Sequence, residues 1–342
     1  MNSSSPYLVS DTRPYIALAP MEGLMDHHLR EILTSVGGID HCVTEFIRVS
    51  QTLYPPKVFH RFCPELLNGG KTQAGTPVHV QLLGSHPQLM ADNAARVASM
   101  GAPAIDLNFG CPAKTVNRSQ GGAVLLQYPD VLFNVASAVR AAVPAHIPVT
   151  AKMRLGYLDK SLALENASAL EASGIQWLTV HARTKTEGYK PPAYWDWIAR
   201  IREQVKIPVL ANGEIWTPDH ADQCRRESGS DLLMIGRGLV AIPDLALQIK
   251  ARERGEALTP MSWLQHLQLL KPLADRLPDL DNKNLTDRLK QWLHYLSLRS
   301  AEVGVIFQEV RKLREREAFF DGLQQAADDL LAGRIGVAIE DK

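Results

Sequence analysis

The run Asp106-Leu107-Asn108-Phe109-Gly110-Cys111-Pro112 carries the most chemistry in this sequence. An apolar strand over 104–107 ends in an amide, and a thiol follows on a Gly–Cys–Pro turn. Glycine permits the turn, and a thiol at a strand's carboxyl end faces whatever site such ends build. Cys42, Cys63, Cys111 and Cys224 are too dispersed for a metal-ligand pattern and read as reduced thiols. Cys111 is therefore a candidate acid or nucleophile, and no metal site is expected. A buried free thiol beside a turn is the plain alternative.

Polar groups close nearly every other apolar run: Pro20-Met21-Glu22-Gly23, Glu45-Phe46-Ile47-Arg48, Gln81, Lys152-Met153-Arg154, His181-Ala182-Arg183-Thr184, Asn212-Gly213-Glu214 and Gly236-Arg237-Gly238. An unpaired ammonium at an apolar strand end is costly. Lys152 therefore either pairs with Asp106 or another carboxylate, or supplies positive charge to a developing anion. The Gln81 amide offers a donor and an acceptor, which suits an imide-like ring edge. Asn212-Gly213 and Gly236-Arg237-Gly238 follow the last two strands, where barrels commonly bind phosphate through backbone N–H groups. Arg237 can add a charge-assisted bond there. His181 reads equally well as a structural donor.

For these groups to meet, the strands must share one mouth. Short β-branched runs alternate with amphipathic stretches from Tyr15 to Val240. The strand candidates are Ile16–Ala19, Cys42–Ile47, Val78–Leu83, Ala104–Asn108, Val149–Arg154, Trp177–His181, Val209–Ala211 and Leu232–Ile235. Several are apolar on both faces, as a helix-covered parallel sheet requires. Helices are predicted over Gln88–Met100, Asp130–Val143, Leu162–Ser173, Trp195–Gln204 and Asp219–Glu227, with stop signals at Gly101, Pro144, Gly174 and Gly229. Eight β–α units favour an α/β fold of the (β/α)8 TIM barrel type over an open doubly wound sheet.

The Pro- and Gly-rich connection Gln51–Thr76 has room for a functional loop over the mouth. Beyond Pro260 strand signals cease, and helices are predicted over Ser262–Arg276, Leu285–Ser300, Val303–Arg316 and Phe319–Ala332. The expected division is an N-terminal tail at 1–14, a barrel at 15–251, a linker at 252–260 and a helical domain at 261–342. The 342 residues, 45% hydrophobic, suffice for a full core plus such a smaller unit. Thirty-seven basic residues balance thirty-seven acidic ones, which excludes a wholly cationic nucleic-acid coat but allows a local basic face. The stretch Met1–Tyr15 lacks the apolar segment of a signal peptide, and no run approaches the ~18 apolar residues of a membrane span. A cytoplasmic protein without membrane association is expected.

The order and spacing of several motifs closely resemble the tRNA-dihydrouridine synthases over residues 15–240. They are Ala19-Pro20-Met21-Glu22-Gly23, Gln81-Leu82-Leu83-Gly84, Asp106 to Val116, Lys152-Met153-Arg154-Leu155-Gly156, His181-Ala182-Arg183-Thr184, Asn212-Gly213-Glu214-Ile215 and Met234-Ile235-Gly236-Arg237-Gly238. The helical tail fits the family's RNA-binding domain. Thr44-Glu45-Phe46-Ile47-Arg48-Val49 and the run Arg288-Leu289-Lys290-Gln291-Trp292-Leu293 with Tyr295 further resemble the bacterial C-type branch, which modifies uridine 16 of the D-loop. One departure is Asn117-Arg118-Ser119-Gln120-Gly121-Gly122, where relatives carry more small residues; it leaves the loop conformation around the thiol open.

The resemblance implies a noncovalent FMN, reduced by NADPH, whose hydride goes to C6 of a tRNA uracil while a cysteine protonates C5. Cys111 would be that acid. A proton donor must stay a thiol, which an apolar neighbour such as Phe109 favours. Lys152 would face the flavin's N1/O2 edge and Gln81 its pyrimidine edge. Pro20, Met21 and Glu22 would line the flavin, and Asn212, Gly213, Gly236 and Arg237 would take its phosphate. His181 and Glu214 would also touch the cofactor, Asn108 the extruded uridine, and Tyr189 the RNA.

A uridine reaches such a mouth only when turned out of its neighbours, so a second surface must hold the tRNA body. Residues 282–316 carry eight Lys/Arg against four acids, a net +4, although an ordinary solvated face would look the same. By resemblance Arg288, Lys290, Tyr295 and Arg311, with Arg48, would form the grip. Arg288 and Lys290, two apart on a helix, would touch separate backbone segments. Uridine 16 is the expected target. The alternatives are uridine 20, an FMN barrel acting on a free small molecule, and an idle RNA-binding protein. Nothing demands more than a monomer.

Overall fold

The computed structural model describes residues 14–336, so the expected tail lies, except for Pro14, outside the described residues, as does 337–342. The strands are β1 (Tyr15–Leu18), β2 (His41–Val43), β3 (Ile47–Arg48), β4 (Val78–Leu83), β5 (Ile105–Phe109), β6 (Val149–Arg154), β7 (Leu178–His181), β8 (Val209–Asn212) and β9 (Leu232–Ile235). All pair in parallel, in the order β2-β1-β9-β8-β7-β6-β5-β4-β3. A further β2–β4 pairing closes eight of them into a barrel. The chain is thus a (β/α)8 barrel followed by a helical region. Helices cover the strands outside and their own side chains fill the centre, so β4 and β5 are buried at every position.

The predicted strand Cys42–Ile47 is broken in two. Val43 pairs with His79 and Ile47 with Leu82, so β2 and β3 together carry one residue more than β4 across the gap. Thr44 fills the break, its Oγ1 accepting from Gln81 N at 3.0 Å. A bulge of this kind redirects the chain, and the released Glu45 accepts from Gly23 N at 2.5 Å.

Three other expectations need correction. A helix His27–Val36 follows β1 where none was predicted. Leu29, Ile32, Leu33 and Val36 keep a helical spacing behind the Asp26 cap, a signal that could have found it, and the buried Arg30 is ion-paired to Glu65 at 2.9 Å. The connection Gln51–Thr76 contains a helix, Pro56–Phe62, and a 3-10 turn, Pro64–Asn68, which that ion pair ties to the barrel wall. The predicted helix Ser262–Arg276 is two, Trp263–Gln268 and Leu270–Asp275. Pro272 has no N–H to donate back to Gln268, which explains the break.

The later helices run Asn282–Ser297, Ala301–Val310 and Arg316–Leu331. The helix Leu245–Glu253 extends into the expected linker. Asn282–Ser297 buries Leu285, Leu289, Trp292, Leu293 and Leu296, and Trp292 Nε1 donates to Val240 O at 3.0 Å just beyond β9. This helix therefore lies against the carboxyl ends of the barrel strands. Truncating the fully buried Trp292 to Ala would cost about 3–5 kcal/mol.

Candidate active site

The carboxyl ends of the strands surround a cavity of about 500 Å³, within the range of small-molecule pockets. Pro20, Met21 and Glu22 enter it after β1, Gln81 from β4, and Asn108 and Cys111 at the end of β5. Lys152 and His181 come from β6 and β7. Asn212, Gly213 and Glu214 follow β8, and Gly236 and Arg237 follow β9. Tyr189 and Tyr295 complete the rim. Arg48 is not on the wall.

Hydrogen bonds run from the barrel interior to the thiol turn. Asp106 Oδ1 accepts from Thr150 Oγ1 at 2.5 Å, and its Oδ2 from Gln81 Nε2 at 2.7 Å. Gln81 Oε1 accepts from Asn108 Nδ2 at 2.7 Å. Asn108 Oδ1 then accepts from Gly110 N and Cys111 N, at 3.0 and 2.9 Å. The other side of the turn is held by Asn117, whose Nδ2 donates to Cys111 O at 3.0 Å and Ala113 O at 2.7 Å while Oδ1 accepts from Val124 N at 2.7 Å. The start of the Asn117–Gly122 segment, whose conformation the sequence leaves open, thus ends a short helix, Lys114–Arg118, stapled to the thiol turn. Burial pushes the Cys111 pKa up, with Glu22 adding to the rise and the Ala113 N–H, Arg154 and Lys152 opposing it. Cys111 stays a thiol at neutral pH.

Lys152 makes no hydrogen bond or ion pair among the described residues, and the Asp106 carboxyl accepts from Thr150 and Gln81 instead. Burial and then Arg154 bring its pKa down to about 8, against the pull of Asp106 and Cys111. The ammonium faces the cavity. His181 is held well below its ordinary pKa by burial, then by Arg154, Lys152, Arg183 and Arg237, so its ring is neutral.

Arg154, Trp216 and Phe46 also line the cavity and were not singled out as site residues. Arg154 stands two residues beyond Lys152, and on a strand alternate residues share a face, so a period of two would have found it. Arg154 Nε donates to Gly110 O at 2.9 Å, and Nη1 to Thr184 O and Gly188 O at 3.0 and 2.9 Å. Its guanidinium lies 5.0 Å from the Tyr189 ring, and that of Arg237 lies 5.1 Å from the same ring and 5.0 Å from Trp216. Tyr189 is flanked by two cations. Glu214 bonds Arg183, accepts from Trp216 Nε1 at 2.8 Å and stands 3.7 Å from Arg237 Nη2. Burial pushes its pKa up, but Arg183, Trp216 and Arg237 outweigh that and leave it below the usual value.

The turn after β8 has no room for a side chain: Gly213 has φ +120°, and a Cβ would lie 3.0 Å from the His181 ring. Bare backbone there, with Arg237 after the neighbouring strand β9, suits an anionic group. Among the described residues no group of three or more His, Cys, Asp or Glu is arranged to hold a metal ion.

Two cations assigned to RNA by the sequence are engaged internally. Arg288 Nη2 donates to Leu24 O at 2.7 Å and to Asp26 Oδ2 at 3.1 Å, and Nε reaches Asp26 Oδ2 at 3.2 Å. Lys290 Nζ pairs with Asp287 at 3.0 Å and donates to Leu313 O at 3.1 Å. The two do point apart, but into the protein, where carbonyls and carboxylates already satisfy them. Arg311, by contrast, is exposed beside Lys312 and Arg314.

Residues 17–329 match the family model described as dihydrouridine synthase. A protein of Aquipseudomonas alcaligenes named tRNA-dihydrouridine(16) synthase is 54% identical over 303 residues, covering 88% of this chain and 96% of that one. Proteins of the same name from Pseudomonas putida and Shewanella oneidensis are 55% and 49% identical, covering 87% and 92% of this chain and 92% and 99% of theirs. Among solved structures, a 2-naphthoyl-CoA reductase complex superposes with a TM-score of 0.52 at 13% identity, over 70% of this chain and 50% of that one. A 6-hydroxypseudooxynicotine amine oxidase of Pseudomonas geniculata does so with 0.55 at 14%, over 71% and 47%. This chain spans about half the length of those two structures, and the likeness is one of fold. With the family model spanning the barrel and most of the helical region, the chain belongs to the dihydrouridine synthase family and is an oxidoreductase acting on tRNA.

Proposed function

We propose that the chain reduces the C5–C6 bond of uridine 16 in the tRNA D-loop, with a noncovalent FMN as hydride donor and NADPH as the reductant. The observation that carries this reading is a buried thiol, Cys111, and an unpaired lysine, Lys152, lining one cavity. The relatives' printed name supports position 16.

The residues fit such a cofactor: bare backbone at Gly213, the Arg237 guanidinium and the unpartnered Lys152 are complementary to a ring with an anionic edge and a phosphate. Pro20, Met21, Glu22, Gln81, His181, Asn212, Glu214 and Gly236 complete its walls. A flavin held by these residues would supply the hydride for C6. Cys111 delivers the proton to C5, its turn fixed by Asn108 and Asn117. Lys152 places positive charge beside the ring, and neutral His181 adds no competing charge. Tyr189, braced between Arg154 and Arg237, and Asn108 and Tyr295 present surfaces for an extruded base.

The tRNA body would lie over the helical region, which we read as an RNA-binding domain at 261–342 joined by 252–260 to a catalytic barrel at 15–251. Arg311 is exposed for this, and Arg48 and Tyr295 are partly so. Arg288 and Lys290 act by holding the helix in place. A monomer acting in the cytoplasm meets these needs, and no helix among the described residues is long and apolar enough to cross a membrane. The test is the absorbance spectrum of the purified protein, then dihydrouridine mapping in tRNA from cells that have this synthase alone. A colourless protein, or tRNA modified at 20 and not at 16, would overturn the cofactor or the position respectively.

A further inference from the structure

The chain of side chains from Asp106 to Cys111 has a direction. At its inner end stands Asp106, whose two oxygens accept from Gln81 and Thr150, bonds that with the Lys152 charge oppose the rise in its pKa that burial causes; at its outer end stand the N–H groups of Gly110 and Cys111, which only donate. The two amides between could each face either way on shape alone. Turning Gln81 over would set its oxygen against the Asp106 carboxylate and its NH2 against that of Asn108. Both amides are therefore locked with nitrogen inward and oxygen outward. Asp106 is itself 2% exposed and is absent from the cavity wall, and its nearest bonded partners, Gln81 and Thr150, are neutral. A buried carboxylate without a bonded cation is expensive to keep, and nothing in the barrel's packing requires one at the centre of an apolar strand.

We propose that Asp106 is the positioning residue of this site: its carboxylate orients the Gln81 amide and, through Gln81 and Asn108, the turn that aims the Cys111 thiol. The inference rests on the proposed role of Cys111 as the acid. Gln81 keeps one N–H and one lone pair for a ligand, and Asp106 decides which of them faces the cavity. Asn108 holds the backbone amide of Cys111 with an oxygen that the same relay keeps outward.

The experiment uses the full-length flavin-loaded chain with a tRNA transcript and compares Asp106→Leu, which removes the acceptor, with Asp106→Asn. The Asn carbonyl can still face Gln81 Nε2 while its NH2 faces Thr150 Oγ1, so polarity survives without charge. Asp106→Leu is expected to lower kcat for dihydrouridine formation by about 10–100-fold, as misplacing a catalytic acid does, with KM for tRNA within about twofold. Asp106→Asn is expected to recover to within about fivefold of the parent.

The second readout is the pH profile of Cys111 alkylation by iodoacetamide, which is specific because Cys42, Cys63 and Cys224 are wholly buried. The profile should shift in Asp106→Leu and be restored in Asp106→Asn. If Asp106→Leu does not fold, Gln81→Leu cuts the relay one link further out and should shift the same profile. An unaltered profile in the folded Leu variant, or an Asn variant as impaired as Leu, would overturn the proposal. Undiminished dihydrouridine formation by Cys111→Ala would instead remove the acid assignment, so the two failures are distinct.

Discussion

The guanidinium of Arg288 bonds the carboxylate that caps the barrel's first helix: Nε and Nη2 stand 3.2 and 3.1 Å from Asp26 Oδ2, while Asp26 Oδ1 accepts from Leu29 N at 2.9 Å. Gln291 Nε2, three residues on, donates to Gly23 O at 2.9 Å. The helix Asn282–Ser297 thereby clamps the turn that carries Met21 and Glu22 into the cavity. Arg288→Ala should destabilise the protein by about 1.5–3 kcal/mol, the worth of a charged hydrogen-bond set, and weaken flavin binding. Urea unfolding and a flavin titration measure both. The salt slope of tRNA binding should not change; a drop of about 0.7–0.9 would mean that Arg288 meets a phosphate after all.

Cys111→Ala should fold and hold flavin, since the thiol contributes little packing beyond Leu83 and Val116. Dihydrouridine formation should fall by roughly 10²–10⁴, the usual contribution of a positioned acid. NADPH oxidation by the bound flavin should persist. Stopped-flow absorbance separates the two half-reactions, and equal loss in both would show that the thiol is not the acid.

Lys152 ties flavin affinity to pH. Its pKa is lowered to about 8 by burial and Arg154, so it is charged below that pH and neutral above it. Affinity for a ligand with an anionic edge should be level through neutral pH and decline as pH rises past about 8. Lys152→Met, which keeps the stem, should bind flavin more weakly at pH 7 and lose that decline. A decline that survives in the Met variant would assign the titration elsewhere.

Two glycines of similar conformation differ in surroundings. Gly69 and Gly122 have φ of +64° and +68°, so Ala at either costs about 1–2 kcal/mol in backbone strain. A Cβ at Gly69 meets nothing within 4 Å, whereas one at Gly122 would lie 2.8 Å from Cys111 O. Gly122→Ala should therefore cost stability beyond the Gly69→Ala value and, unlike it, slow dihydrouridine formation. Equal effects of the two on turnover would show that the thiol turn yields without consequence.

Replacing Arg311, Lys312 and Arg314 together by Gln should weaken tRNA binding and reduce its salt slope by about 2.1–2.7, at roughly 0.7–0.9 for each phosphate no longer neutralised. Flavin content and NADPH oxidation should be unaffected, because all three lie on the surface of the helical region. Filter binding across salt concentrations measures the slope, and an unchanged slope would move the RNA path elsewhere.

Much of this could be read from the chain alone. Apolar runs of three to six residues, each ended by a polar group, determine a closed parallel barrel and put Gln81, Cys111, Lys152, Gly213 and Arg237 at one mouth. Strand periodicity and parallel direction are local properties, so the sequence carries them. The break between β2 and β3 was not legible, because Thr44 replaces a backbone partner by a side-chain bond that no apolar pattern records. The helix His27–Val36 was legible in its cap and apolar spacing, but not the partner of its buried Arg30, a carboxylate 35 residues away. The same limit governs the charged residues of the tail. Arg288 and Arg311 look alike in sequence, yet one is spent on Asp26 and the other is exposed. A charge's role is set by which partner the fold brings within about 3 Å, and only the tertiary structure decides that.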